Sequence, residues 1–222
     1  MKRTRQSRRP RAALDRDRIA RAALARIDAG GQAALSMRSL AGDLGCEAMS
    51  LYHHVEGIEG VLDAVVDRLF GGILPAAGAG AHPRRTLEGF ARAYLAQATQ
   101  HPRAFPLLAT RLLHTPQALA AVARVLALLG ELGLSPRDAL RHARVLGAYL
   151  NGAGLALAAW SLAPDAGARS ARAARDEAAL AQLGGAVNAS AVRDDLDAGL
   201  VRLLDAIPAG SSAPFPGGHA EV

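Results

Sequence analysis

Ser36-Met37-Arg38-Ser39-Leu40-Ala41-Gly42-Asp43-Leu44-Gly45-Cys46 runs straight into Glu47-Ala48-Met49-Ser50-Leu51-Tyr52-His53-His54-Val55. Ser36 is a favoured N-cap, and Leu35 before it can staple onto Leu40. Gly45 closes that helix barely two turns later, and a further short helix is expected from about Ala48 to His54. Leu40, Ala41, Leu44, Cys46, Leu51 and Val55 are spaced to form a small shared core. Met49, Ser50, Tyr52, His53 and His54 are then left outward or at the rim. Two short helices sharing a core across a tight turn are a helix-turn-helix, whose second helix enters the major groove of DNA.

The flanking sequence reads as helix in both directions. Asp15 caps a first helix whose inner face is Ile19, Ala22, Ala23 and Ile27, with a possible Leu14–Ile19 staple, and Gly30-Gly31 stops it. From about Ile58 a further helix carries Val61, Leu62, Val65, Val66, Leu69 and Phe70 on one broad stripe. Gly71-Gly72-Ile73-Leu74-Pro75 and the Ala/Gly stretch to Ala81 are a composition break and the expected domain boundary. Beyond it come a helix over 84–100 broken by His101-Pro102, one opened by Thr115-Pro116, and a long one opened by Ser135-Pro136-Arg137-Asp138 that reaches about Leu162. Pro164–Gly185 reads as a mobile loop or marginal helix, and a last helix starts at Asn188 or Ser190 and reaches about Ile207. The expected organisation is all-α: a basic arm over 1–14, a three-helix helix-turn-helix domain over 15–70 and a linker over 71–83. A larger helical domain over 84–207 and a frayed tail over 208–222 complete it.

Composition narrows the class. Of 222 residues half are apolar, but 51 are alanine, so the surplus is small side chains rather than membrane hydrophobes. No run reaches the ~18 uncharged apolar residues of a spanning helix, and no apolar stretch follows the basic N-terminus as in a secretory signal. A cytoplasmic protein without membrane contact is expected. A single cysteine, Cys46, excludes a disulfide framework and a cysteine-based metal cluster. Lys2, Arg3, Arg5, Arg8, Arg9 and Arg11 place six positive charges in the first eleven residues. The remainder holds 20 basic and 20 acidic side chains, so the net +6 is an arm on a neutral body. Such an arm suits a polyanion, nucleic acid first. No phosphate-cradling glycine loop, HExxH or GxSxG string occurs, so no enzyme, cofactor or metal is expected.

The string Leu35-Ser36-Met37-Arg38-Ser39-Leu40-Ala41, then Leu44-Gly45, then Ser50-Leu51-Tyr52-His53-His54-Val55 and the apolar helix after it, resembles the tetracycline-repressor (TetR) family over residues 15–70. Weaker echoes in the second half are His101-Pro102, Thr110-Arg111, Gly133-Leu134-Ser135, Asp138-Ala139 and Asp195–Leu200. The resemblance implies a homodimeric regulator, most simply a repressor released from a palindromic operator in double-stranded DNA by a small-molecule inducer. It implies that Arg38 reaches a base edge or phosphate, and that Ala48, Met49 and Ser50 occupy the base-reading turn. Tyr52 and His54 would bond phosphates, with His53 at the groove edge. Over residues 36–60, one basic residue faces Asp43, Glu47, Glu56 and Glu59. Arg8, Arg9 and Arg11 of the arm are expected to compensate along the adjacent groove or backbone.

For the inducer, the histidine that tetracycline repressors place before the Thr-Arg pair is matched by Leu107, and their acidic metal ligand by Ala156, so a magnesium–tetracycline complex is not expected. Tyr94, Gln97, Thr110, His114, Tyr149 and Asn151 are polar groups on apolar helices, candidates for the few polar contacts of a mostly apolar pocket. Residues 137–162 and 190–207 are expected to pair with their copies, with Ala143, Gly147, Gly152, Ala153 and Gly154 allowing close approach. The rival reading is a dimeric small-molecule-binding protein with little DNA affinity, suggested by the acidic run and the apolar Ala48-Met49 pair.

Overall fold

The computed structural model describes residues 13–73, 82–162 and 189–207, and among them every regular element is helical. The arm arginines Arg8, Arg9 and Arg11, the 164–185 segment and the 208–222 tail lie outside the described residues. The chain divides into two compact units at Val65/Val66.

In the first unit, α1 (Arg16–Gly30) starts where Asp15 Oδ1 accepts from the Arg18 amide at 2.7 Å. It ends where the Gly31 amide, at φ 77°, returns to the Ile27 carbonyl at 2.7 Å. Its buried face is Ile19, Ala20, Ala23, Leu24 and Ile27, broader than the expected stripe, with Ala22 only half-buried. A 3-10 turn (Gln32–Ala34) leads to α2 (Met37–Leu44). There Ser36 and Ser39 cap each other: Ser36 Oγ accepts from the Ser39 amide at 3.1 Å, and Ser39 Oγ from the Ser36 amide at 3.0 Å. Serine thus fills the return position that a glutamate usually takes. Gly45 adopts the left-handed conformation (φ 64°, ψ 37°), which a β-carbon would penalise, and turns the chain into α3 (Ala48–Tyr52). Leu40, Ala41, Leu44, Leu51 and Val55 form the shared core, while Cys46 is only half-buried.

α4 (Gly57–Ile73) runs through the division point. Its stripe Val61, Leu62, Val65, Val66, Leu69 and Phe70 is buried as the 3.6-residue period demands, and Ile73 extends it. The division point between the two compact units lies inside this helix, and Val66, Leu69, Phe70 and Ile73 are buried in the second unit.

The second unit is arranged around α8 (Pro136–Leu162), on which α5 (Pro83–Gln100), α6 (Phe105–Thr110), α7 (Pro116–Glu131) and α9 (Ala189–Asp205) all pack. α8 is long and apolar enough to cross a membrane by length and composition, but Leu146, Leu150, Ala153, Leu157 and Ala158 are buried against its neighbours. It opens as expected, with Ser135 Oγ accepting from the Asp138 amide at 3.2 Å and donating to Asp138 Oδ2 at 2.6 Å. α7 opens differently. Thr115 stands at the cap position without accepting a bond, and the amide of Gln117 donates to Asp67 Oδ1 on α4 at 2.7 Å. Leu200 and Leu204 fix α9 in the core, and Arg92 joins it to α5 through Asp197 at 2.7 Å.

The small residues of α8 do not form one outward stripe. Ala153 is buried, and a β-carbon at Gly154 would overlap the Phe105 ring. Ala143 and Gly147 line a cavity, and only Gly152 of the five stays exposed.

Candidate nucleic-acid interface and ligand cavity

On the first unit, burying Leu51 and Val55 turns the rest of α3 outward. Met49 is 68% exposed and Tyr52 51%, large side chains without cover among the described residues, and Arg38, His53 and His54 are exposed beside them. Ala48 and Ser50 are half-buried at the helix edge. Exposed Met and Tyr thus flank a buried Leu on this short helix. The electrostatics are milder than a residue count suggests. Arg26 of α1 clamps Asp43 with Nε to Oδ2 and Nη2 to Oδ1, both 2.6 Å, and also reaches the Ala34 and Ser39 carbonyls at 3.4 Å. That bidentate bond holds the Asp43 carboxyl below the usual carboxylate range. One of the four acids over 36–60 is therefore neutralised within the fold, while Glu47, Glu56 and Glu59 remain exposed.

The second unit holds a cavity of about 440 Å³ between α5, α7, α8 and the end of α6. Phe70, Phe90 and Tyr94 form an aromatic wall, with Tyr94 edge-on to Phe105 at 5.6 Å and tilted against Phe70 at 6.2 Å. Tyr94 donates to Asn151 Oδ1 at 2.6 Å, and Asn151 Nδ2 donates to the Ala109 carbonyl at 3.1 Å. Burial pushes the Tyr94 phenol well above its ordinary value, so it stays neutral and keeps a lone pair to offer. Of the six polar candidates, only Tyr94 and Asn151 line this cavity. Gln97 is buried near Gly72, and Thr110 turns back on its own helix to the Pro106 carbonyl at 2.6 Å. His114 is exposed against the Leu112 carbonyl at 3.0 Å, and the Tyr149 hydroxyl donates to the Leu196 carbonyl of α9.

Sequence reasoning missed Arg111, Leu113, Leu140 and Arg144, which also line the cavity. The signal was available on α8. Counting back from Asn151 in steps of four and three gives Gly147, Arg144 and Leu140, all on one face. No carboxylate lines the cavity among the described residues, so a magnesium-held ligand has no acidic donor there.

Residues 74–198 match the family described as tetracyclin repressor-like, C-terminal domain. An HTH-type transcriptional regulator of Saccharopolyspora erythraea is 35% identical over 71% of this chain and 67% of its own length. The HTH-type transcriptional repressor DrrR1 of Streptomyces coeruleorubidus is 34% identical over 67% of this chain and 56% of its own length. Among solved structures, ActR of Streptomyces coelicolor in complex with actinorhodin superposes with a TM-score of 0.73 at 24% identity, covering 90% of this chain and 98% of that one. A TetR variant of Acinetobacter baumannii in complex with minocycline gives 0.66 at 20% identity, over 93% and 100%. At that identity the likeness carries the fold, and the sequence matches carry the kinship. With a family model over more than half of the chain and a relative 35% identical over two thirds of its length, the chain belongs to the TetR family of transcriptional regulators.

Proposed function

We propose that this regulator is a cytoplasmic, dimeric repressor that holds a palindromic operator through α3 and its basic arm and lets go when a largely apolar small molecule fills the cavity. The observation that carries the reading is the pairing of an uncovered Met49–Tyr52–His53–His54 surface in one unit with an aromatic-walled, about 440 Å³ cavity in the other. Arg38, Met49, Tyr52, His53 and His54 are assigned to DNA, with Ala48 and Ser50 close to the bases. DrrR1 is named as a repressor and ActR was crystallised with actinorhodin, and both support a ligand-released repressor. For dimerisation, α8 presents Val145, Gly152, Leu155, Ala159 and Leu162 outward at alternating heptad spacing, and α9 adds Ala198 and Val201. A two-fold axis through such a stripe covers it with its own copy and sets two α3 helices over half-sites about 34–36 Å apart.

Selection of randomised duplex DNA by the purified protein at about 0.1 M salt tests the reading, with a Tyr52→Ala, His54→Ala double variant alongside. Recovery of a palindrome by the wild type alone is the expected result. A folded dimer that enriches nothing would overturn it in favour of a ligand-binding protein with little DNA affinity, the reading that the exposed Glu47, Glu56 and Glu59 favour.

A further inference from the structure

The cavity wall holds a polar chain whose direction is fixed from end to end. It starts at the Ala109 carbonyl, one of the last in α6, which a helix leaves without an amide of its own. A carbonyl can only accept, so the Asn151 group that reaches it at 3.1 Å is the Nδ2 amine. That turns Asn151 Oδ1, which also can only accept, toward the Tyr94 hydroxyl at 2.6 Å. Tyr94 is therefore the donor, and its one proton is spent on Asn151. Burial raises the phenol above its ordinary value, so the oxygen keeps that proton at neutral pH. Tyr94 and Asn151 both line the cavity, so their junction is part of its wall. The Tyr94 ring is held in place, edge-on to Phe105 at 5.6 Å and tilted against Phe70 at 6.2 Å.

We infer that Tyr94 Oη is the specificity-determining acceptor of this cavity, and that the inducer is a fused-ring aromatic compound presenting a neutral O–H or N–H donor to it. This rests on the cavity being the inducer site and adds the polarity that its ligand must have. What Tyr94 still offers a ligand is a lone pair, so a carbonyl or ether oxygen placed there sets oxygen against oxygen. A donor completes a run of bonds from ligand to Tyr94 to Asn151 to Ala109, in which each bond polarises the next. An ammonium is the wrong donor, because among the described residues no carboxylate lines the cavity to balance it. The rings lie against Phe70 and Phe90. The volume of about 440 Å³ falls within the roughly 300–1,000 Å³ of small-molecule sites. An analogue that fits but lacks the donor leaves a desolvated phenol oxygen unpaired, so this one bond discriminates by more than its own strength.

A pair of fluorescent probes, 2-naphthol and its methyl ether 2-methoxynaphthalene, tests the inference, since they share rings and oxygen and differ in the donor. At neutral pH the wild type is expected to bind the naphthol about tenfold more tightly. Tyr94→Phe should erase that preference, weakening the naphthol about tenfold without weakening the ether. Should this variant fail to fold by circular dichroism, Tyr94→Phe combined with Asn151→Leu removes both partners and is expected to show the same loss. Gly147→Leu, at a cavity-lining position where a β-carbon meets open space, should fill the cavity and weaken both probes alike. Equal wild-type affinity for the two probes, or a Tyr94→Phe loss shared by both, overturns Tyr94 as the acceptor while leaving the cavity as the inducer site. A preference that survives Tyr94→Phe comes from the size of the methyl group and overturns it as well. Binding that Gly147→Leu does not disturb, or no binding of either probe, overturns the cavity itself, and the acceptor falls with it.

Discussion

Glycines on one helix can have opposite reasons to be there, and α8 contains both kinds. At Gly154 a β-carbon would overlap the Phe105 ring, which is fully buried beneath Tyr94 and has nowhere to retreat. At Gly147 nothing stands within reach of a β-carbon. Gly154→Ala should therefore destabilise the protein by about 1–3 kcal/mol through overpacking. Gly147→Ala, at a mid-helix position, should stabilise it by up to about 1 kcal/mol. Urea unfolding of the two variants separates them by sign, and equal shifts would show that the Phe105 contact carries no weight. Asp43 is the other residue whose role the fold settles. The Arg26 hydrogen bonds depress its carboxyl, so their contribution is present above the unfolded carboxylate value of about 3.9 and is lost as pH falls through the lower folded value. Arg26→Gln should lower stability at neutral pH and flatten its decline on acidification. A parallel decline in wild type and variant, followed by circular dichroism, would assign the acid sensitivity to other groups.

At the level of elements, the start of α7 shows how a cap can come from another part of the chain. Thr115-Pro116 has the local signature of a helix start, and the helix does start there, yet Thr115 Oγ1 is buried without a bond and Asp67 of α4 takes the Gln117 amide. Asp67→Ala should cost about 1 kcal/mol, the usual loss of a cap, whereas Thr115→Val should cost little because it removes an unsatisfied hydroxyl. Thermal melts that rank the two the other way would mean that Thr115 caps α7 in solution. This helix also marks how far local sequence reaches. The starts of α1, α2 and α8 were readable because Asp15, Ser36 and Ser135 act on amides three residues away. The helix-turn-helix was readable because its core closes within twenty residues. α6 and the partner of Gln117 were not, since both depend on α4 and α8 arriving from far along the chain. The cavity was half legible: Tyr94 and Asn151 stand out as polar residues on apolar helices, but arginine looks like solvent-facing charge until the α8 face that carries Arg144 is known. Thr110 and Tyr149 lie off the cavity, and each donates its hydroxyl to a backbone carbonyl that sequence alone does not place.

For the whole molecule, the net positive charge sits in the arm rather than the body, so in the proposed function the arm supplies the pull toward DNA. Beyond residue 11 the basic and acidic side chains number 20 each, and residues 2–11 hold the six positive charges in excess. On the α2–α3 face, Arg38 is set against Glu47, Glu56 and Glu59, since Asp43 is already engaged by Arg26. In the proposed function the helix-turn-helix would therefore provide shape and base contacts with little net attraction, with register fixed by a few phosphate bonds rather than by a positive field. Each phosphate neutralised by the arm contributes about 0.9 to the slope of log affinity against log salt. Deleting residues 2–11 should therefore make that slope shallower by as much as about 5 per copy and weaken operator binding by orders of magnitude at 0.1 M salt. The deleted segment lies far in sequence from α8, α9 and the cavity, so dimerisation and probe binding should not change. Titration of the selected operator at several salt concentrations, with sedimentation of the same samples, reads both quantities. An unchanged slope would place the phosphate contacts on α1 to α4 and leave the arm without a part in recognition.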